Sequence, residues 1–308
     1  MAAADRPDLA LAVVSVAVAL PLKSRVGAFV ALTKPRIIEL LLVTTVPTMI
    51  VAHGGIPSLW LMVATVVGGT FAAGGANAIN MYVDRDIDAL MDRTKLRPLV
   101  TGAVSPNEAL VFAIGLEIVA FLGMWRFVNL LSASLAVAAC LFYVFVYTLW
   151  LKRTSSQNIV IGGAAGAVPV LIGWSAVTNG IGWAPVVLFS IIFAWTPPHF
   201  WALAIKYRED YAKADVPMLP SVASMEVVGR QIVAYTVVVI GLSLVFARVA
   251  HMGLLYDVSA VILGAIFLAL SVGVLRTGSA KIAMRLFTYS ITYVTLLFGA
   301  MALDRLIG

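Results

Sequence analysis

Charge is what this sequence has least of. Asp, Glu, Lys and Arg together make up 12% of its 308 residues, against 62% hydrophobic residues. A water-soluble domain of this length cannot cover its surface with so few charges, so lipid must be the solvent for most of the chain. Cysteine is nearly absent as well. The single Cys140 lies inside an apolar run, which excludes an internal disulfide and a cysteine metal cage. A basic leader is missing too. Met1 to Pro7 carries Asp5 and Arg6 but no basic n-region, and the apolar stretch Leu9 to Leu22 is short for a membrane span. Residues 1–30 therefore read as a short interfacial or disordered lead-in on the cytoplasmic side, and 31–308 as one membrane-embedded domain. No feature points to nucleic acid.

What is present divides into apolar segments of about 20 residues, the length that crosses a bilayer core of about 30 Å. Nine spans are predicted, at 37–53, 59–82, 107–126, 130–151, 158–177, 184–205, 228–249, 256–275 and 285–305. Two gaps are long and polar, 83–106 and 206–227. On this division eighteen of the 21 Lys and Arg residues fall on one side, and Arg126, Arg248 and Arg305 on the other. That asymmetry places the N-terminus and both long loops in the cytoplasm and the C-terminus outside. The fold class is all-α and polytopic, with nine transmembrane helices around a central cavity. The loops lie four helices apart, as in two four-helix halves plus a ninth helix. Gly162-x-x-x-Gly166 is a candidate for close helix packing.

The second span ends in Asn80-Met-Tyr-Val-Asp84-Arg-Asp86-Ile-Asp88-Ala-Leu-Met-Asp92. On a continuing helix Asn80, Asp84 and Asp88 drift by only about 40° per step, so they share one face, and Asp92 is placed to extend the row. Like charges at this spacing repel, and desolvation beside a membrane makes the repulsion worse. A cation should neutralise them. Mg²⁺ prefers carboxylate oxygens and keeps positions open for substrate phosphates. Arg85, Arg93, Lys95 and Arg97 stand close by in sequence. Carboxylates with adjacent bases suit a Mg²⁺ ion bridging to a diphosphate whose other oxygens take Arg or Lys.

The sixth span ends Trp195-Thr-Pro-Pro-His-Phe-Trp and runs into Lys206-Tyr-Arg208-Glu209-Asp210. Pro197 and Pro198 are expected to interrupt that helix. Asp210 is a candidate for a second Mg²⁺, and Lys206 and Arg208 for phosphate. Both loops exit on one side, which places one site between two half-bundles.

The spacing Asn80-x-x-x-Asp84-x-x-x-Asp88 resembles the first signature of the UbiA superfamily of intramembrane prenyltransferases. Further runs are similar to the haem O synthase branch of that superfamily. They are Leu32 to Leu40, Asp92-Arg-Thr-x-x-Arg97-Pro-Leu, Tyr147 to Asn158, Ile161 to Pro169, Thr196-Pro-Pro-His-Phe-Trp201 and Asp210 to Pro220. Lys206 stands where the wider superfamily has an Asp, and Asp215 where glycine is expected. The resemblance implies a Mg²⁺-dependent transfer of farnesyl from farnesyl diphosphate to a vinyl group of haem b, with water quenching the cation. The absence of an Arg-rich transit segment favours a bacterial inner (cell) membrane, and the resemblance implies a haem A synthase downstream. Asn80, Asp84, Asp88 and Asp210 would then be the catalytic set, with Asp84, Asp88 and Asp210 on metal. Arg85, Arg93, Lys95, Arg97, Lys206 and Arg208 would bind diphosphate.

Other residues carry weaker signals. His199 can ligate haem iron, pair with a propionate or simply cap freed backbone groups. Lys152 and Arg153 are candidates for haem propionates or for diphosphate. Tyr82, Tyr143, Tyr147, Trp150 and Trp195 can line a carbocation by cation–π contact. Glu39 follows Lys34 and Arg36 by about a turn and can pair with them; Glu117 has no evident partner. Two other readings stay open: a prenyltransferase with another aromatic or tetrapyrrole acceptor, and a secondary transporter. The ionisable residues gather at one face and not at the midplane, which disfavours transport.

Overall fold

The fold is described from a computed structural model, which covers residues 22–308, with side chains described for that range apart from 22–23 and 36–42. Arg6, the apolar stretch before Leu22 and the side chain of Glu39 lie outside the described residues. The elements in order are α1 (Leu22–Leu32), α2 (Pro35–His53), α3 (Leu59–Val83), α4 (Arg85–Leu90), α5 (Pro106–Phe127) and α6 (Leu130–Leu141). A π-helical stretch, Phe142–Leu151, continues α6 into α7 (Lys152–Thr154). There follow α8 (Asn158–Thr178), α9 (Trp183–Lys206), α10 (Arg208–Lys213), α11 (Leu219–Val222), α12 (Met225–Val249), α13 (Leu254–Thr277) and α14 (Ala280–Ile307).

Each of the nine expected spans falls within one continuous helical segment. Eight of these are long and apolar enough to cross a membrane; the other, α2, has 19 residues and a described apolar part at Val43–His53. The chain is an integral membrane protein. Side chains close the helix starts where the sequence offers them. Ser58 accepts from the Leu61 amide, Asn129 from Ser132 and Ser224 from Val227, and Ser105 forms a reciprocal capping box with Glu108.

The long helices form a ring in chain order. Each packs on the next, and α14 closes back on α2, while α2–α8 and α9–α14 contacts reach across. With no hydrophobic drive between helices in lipid, close approach and polar glue hold such a ring. Gly75 lies against Glu117 of α5, where an added Cβ would come within 2.7 Å of Oε1. Gly173 lies against the Thr45 backbone of α2. Hydrogen bonds join Ser132 to Ser175, Thr236 to Ser271 and Ser243 to Tyr293. The lead-in expected up to residue 30 includes α1, whose Ala28 and Leu32 pack with residues of α3 and α5 and whose Arg25 donates to Glu108 at 2.5 Å.

Three local expectations are corrected. Gly162 and Gly163, not Gly162 and Gly166, make the close contacts, to Tyr147 and Thr196, while Gly166 meets open space. The helix of the sixth span does not break at Pro197 and Pro198; α9 runs through both, because buried packing on α8, α12 and α14 holds a proline-containing helix that would be unstable alone. The end of the fourth span is π-helical and not α-helical.

Candidate active site

The acidic row survives a helix break. α3 ends at Val83, and Asp84 links it to α4, yet the i→i−4 bonds continue: the Asp84 amide donates to Asn80 O (2.9 Å) and the Asp88 amide to Asp84 O (2.8 Å). Asn80, Asp84 and Asp88 therefore keep one face, and that face is interior, with exposures of 3%, 0% and 1%. Asp92 does not extend the row. α4 stops at Leu90, Met91 turns to extended backbone, and Asp92 points out to Lys95 (2.7 Å) and Lys213 (3.7 Å). Asp86 points outward too and pairs with Arg153 (2.7 Å), whose hydrogen bonds pull its carboxyl down to about 2.

Each member of the row is held by a different base. Lys34 Nζ donates to Asn80 Oδ1 (2.8 Å), Lys152 Nζ to Asp84 Oδ2, and Arg97 Nη1 to Asp88 Oδ2 (2.5 Å). Asn80 Nδ2 also donates to Asp84 Oδ2 (2.7 Å) and to Thr148 Oγ1 (3.1 Å). Lys34 reaches the row from the α1–α2 turn in left-handed backbone (φ 54), a costly conformation for a lysine. Asn77 pins that turn by donating to Thr33 O (3.0 Å). Burial of the ammonium, with the nearby charges of Arg97 and Lys152, pulls Lys34 down to about 7 against the opposite pull of Asp84 and Asp88.

Lys152 arrives by way of the π-helix. At about 100° per residue an α-helix would carry Lys152 about half a turn away from Tyr143. The wider i→i+5 winding instead brings Tyr143, Tyr147, Thr148 and Lys152 towards one face. Tyr143 and Tyr147 stack at 5.3 Å, and Thr148 Oγ1 donates to Tyr143 O (2.9 Å). Trp150 is 61% exposed and faces away.

The second loop packs on the first. Ile87 and Met91 share an apolar cluster with Tyr211, Ala214 and Val216. Arg93 Nη2 donates to Tyr211 Oη (3.3 Å), and its guanidinium lies over the rings of Tyr207 and Tyr211. Asp210 meets Lys213 at 4.0 Å, and Lys213 in turn meets Asp92. The two loops are thus joined at their outer parts, with Lys213 between Asp210 and Asp92. Lys206, Arg208, Arg85 and Lys95 are exposed around this joint; Arg85 lies over the Tyr82 ring and Lys206 over that of Tyr207.

The donor set fits a Mg²⁺ ion. Asp84 Oδ1 and Asp88 Oδ1 are buried acceptors without a hydrogen-bond partner, although the opposite oxygen of each carboxylate accepts from a base. Orphaned buried carboxylate oxygens are costly and point to a missing cation. Among the described residues no group of three or more His, Cys, Asp or Glu is placed to hold a metal. Mg²⁺ does not need one, since it binds through one or two carboxylates and completes its shell with water and phosphate.

Comparison with known proteins decides the family. The UbiA prenyltransferase family matches residues 41–298. The chain belongs to the UbiA prenyltransferase family. It is 57% identical to the Protoheme IX farnesyltransferase of Streptomyces coelicolor, over 92% of each chain. It is 56% identical to that of Frankia alni, over 93% of this chain and all of the other. Among solved structures it is similar in fold to a digeranylgeranylglyceryl phosphate synthase (TM-score 0.76, 18% identity, 92% of this chain and 100% of that one). A UbiA homolog from Archaeoglobus fulgidus bound to GPP and Mg²⁺ is similar too (TM-score 0.60, 16% identity, 89% and 99%).

Within this UbiA fold the remaining candidates separate. Lys152 and Arg153 both sit on the first acidic motif, at Asp84 and Asp86. His199 is elsewhere, between α9 and α14. Its ring lies between Trp195 (4.2 Å) and Phe287 (4.6 Å), and Nδ1 shares a hydrogen bond with Ser290 Oγ (2.7 Å). Glu117 fills the space left by Gly75. Asp215 has φ 51 and is exposed, so the glycine expected there reflects left-handed backbone, which Asp tolerates. Sequence reasoning missed Lys34 and Thr148, which bond Asn80, and it did not single out Asn158. Asn158, fully buried at the start of α8, has both ends of its amide unpartnered. The one available signal was polarity at buried helix ends; the turn and the π winding that aim Lys34 and Thr148 leave no mark in spacing.

Proposed function

We propose that this protein transfers the farnesyl group of farnesyl diphosphate to a vinyl group of haem b (protohaem IX), with addition of water, giving haem O and diphosphate. The observation that carries the reading is the pair of orphaned oxygens, Asp84 Oδ1 and Asp88 Oδ1, in a buried row whose other oxygens are held by bases. The name Protoheme IX farnesyltransferase, borne by relatives at 53–57% identity, supports haem as the acceptor.

Asp84 and Asp88, with Asn80 beside them, would hold Mg²⁺; Asp210, on the packed second loop, is the candidate for a further ion. Bound there, Mg²⁺ supplies Lewis-acid neutralisation of the leaving diphosphate. Lys34, Lys152 and Arg97 offer N–H donors to the diphosphate oxygens in a dry site, where such charge stabilisation is strongest. Arg85, Arg93, Lys95, Lys206 and Arg208, exposed on the two loops, would draw in the anion. The allylic C–O bond breaks and its electron pair leaves with diphosphate. The haem vinyl group donates its π electrons to the allylic carbon, and water adds to the resulting cation and loses a proton. The stacked Tyr143 and Tyr147 put π faces beside the row, where positive charge develops on carbon.

His199 is the candidate axial contact to the haem iron. Ser290 orients Nδ1, which leaves Nε2 as the ring nitrogen without a hydrogen-bond partner among the described residues. Arg153, at the rim beside Asp86, is the base for a propionate. The end rich in Lys and Arg faces the cytoplasm of a bacterial inner membrane, the C-terminus lies outside, and a haem A synthase takes the product onward.

The test incubates purified protein with farnesyl diphosphate, Mg²⁺ and haem b and separates the haems by chromatography. A farnesylated, hydrated haem and one diphosphate per haem consumed are expected. Transfer only to a different aromatic acceptor would overturn the haem assignment, and no diphosphate release with any acceptor would overturn the enzyme.

A further inference from the structure

The basic end of the α13–α14 hairpin carries charge that the candidate active site does not use. Arg276, Lys281 and Arg285 stand around the turn at Gly278, and the sequence from Val258 to Leu303 holds no Asp or Glu. Lys281 and Arg285 are exposed. Among the described residues neither makes an ion pair. Both border a groove of about 530 Å³ between α13 and α14, lined further by Leu270, Met284, Thr288, Tyr289 and Thr292. We propose that this groove holds one anionic phospholipid of the leaflet on the basic side, its phosphate at Lys281 and Arg285 and an acyl chain along the two threonines.

The four residues form one stripe. Lys281 and Arg285 are i and i+4, and Thr288 and Thr292 follow at i+7 and i+11, so all four project within about 60° of one another. The other side of α14 carries Phe287 and Ser290, which hold His199, so the groove is separate from the candidate active site. Threonine keeps the groove open. Thr288 Oγ1 donates to Met284 O (3.1 Å) and Thr292 Oγ1 to Thr288 O (3.4 Å), so both hydroxyls are served by their own helix and need no partner in lipid. Exposed apolar positions nearby, such as Ile266 and Ile291, carry bulkier side chains. Tyr289 Oη donates across to Leu263 O (2.9 Å), which fixes its ring as one wall.

Length selects the occupant. From Lys281 to Thr292 the stripe rises about 16 Å at about 1.5 Å per residue. One leaflet offers about half of the roughly 30 Å of hydrocarbon. A lipid of one leaflet matches that depth, with its charge at the basic end and its chain below. A partner's transmembrane helix would call for a contact face along the whole span. A free phosphate would use only the two bases and leave the apolar wall of Leu270, Met284 and Tyr289 without a role. Charge selects the head group. Basic pockets between helices at a membrane surface attract anionic lipids, whereas a zwitterionic lipid brings its own ammonium, which competes with the bases for the phosphate.

The test uses the full chain in detergent, offered phosphatidylglycerol and phosphatidylcholine of equal chain length together, with bound lipid counted by native mass spectrometry. Wild type is expected to retain phosphatidylglycerol in preference to phosphatidylcholine by about tenfold or more, since each base near the surface contributes roughly fivefold. The double variant Lys281→Gln, Arg285→Gln should lose most of that preference. Arg230→Gln, which removes an exposed base held by Glu226 at the start of α12, should keep it. Thr288→Trp fills the groove without changing charge and should also displace the lipid; it serves alone if the double variant does not fold. Equal retention of the two lipids by wild type would overturn the proposal, as would a preference unchanged in the double variant or in Thr288→Trp. Displacement of the lipid by millimolar inorganic phosphate would reduce the groove to a phosphate site and overturn it. A dimer that the double variant dissociates would assign the face to a second copy of the chain and overturn it too.

Discussion

Asp84→Asn separates the structural work of the row from its chemical work. Asp84 Oδ2 accepts from Asn80 Nδ2 and from Lys152, and Oδ1 has no hydrogen-bond partner. An asparagine can keep its oxygen on the occupied side and place its NH₂ where Oδ1 was. The two donors stay satisfied, so most of the packing and hydrogen bonding survives. What is lost is the charge opposite Lys152, and removing one partner of a buried pair outright costs about 3–5 kcal/mol. Retention of the acceptor oxygen should hold the stability loss to about 1–2 kcal/mol, a fall in Tm of a few degrees for a chain of this size. The chemical loss should be larger, because the open side turns from acceptor to donor and a metal cannot sit on an amide NH₂. Loss of one preorganised electrostatic contact costs about 10²–10³ in rate. The assay is single-turnover diphosphate release in nanodiscs, with Tm from intrinsic fluorescence on the same preparation. A rate within threefold of wild type, in a variant that folds, would refute metal binding by this row. Asp86→Asn is the control: its carboxylate is exposed and its ion pair is with Arg153, outside the buried row, so it should keep most of the activity.

Lys34 gives a pH prediction. Its pKa of about 7 in the free chain should rise when a diphosphate is bound beside it, so binding at pH 8 should take up a proton and binding at pH 6 should not. Calorimetry in buffers of different ionisation enthalpy reads this directly, and proton uptake unchanged in Lys34→Met would discard the assignment. His199→Ala should weaken haem binding by spectral titration and leave farnesyl thiolodiphosphate affinity unchanged; an unaltered haem titration removes the residue from the acceptor site. Gly162→Ala would bring a methyl within 2.3 Å of the Tyr147 ring, so the α8–π-helix contact must open. A stability loss of about 1–3 kcal/mol is expected, read as a lowered Tm, and an unchanged Tm would show that the ring swings aside freely.

Composition and order alone determined that this chain lives in lipid, where its spans lie, which end carries the charge and which carboxylates share a face. Each of these follows from one-dimensional rules: the length needed to cross hydrocarbon, the asymmetry of Lys and Arg, and the four-residue return of a helix. The rule for the row held even across the break at Asp84, because the backbone bonds bridge it. It failed at Asp92, where Met91 leaves helical backbone and turns the next carboxylate outward. Only the tertiary structure decided which bases face the row. Lys34 comes from a left-handed turn far upstream in sequence, and Lys152 comes round on a π-helix that no apolar period announces. It alone decided that Asp210 meets the first loop through Lys213, and that His199 stands apart against α14. Spacing fixes direction within a helix, where the backbone repeats. Partners between helices depend on how the ring closes and on local departures from regular winding, and those are settled by packing.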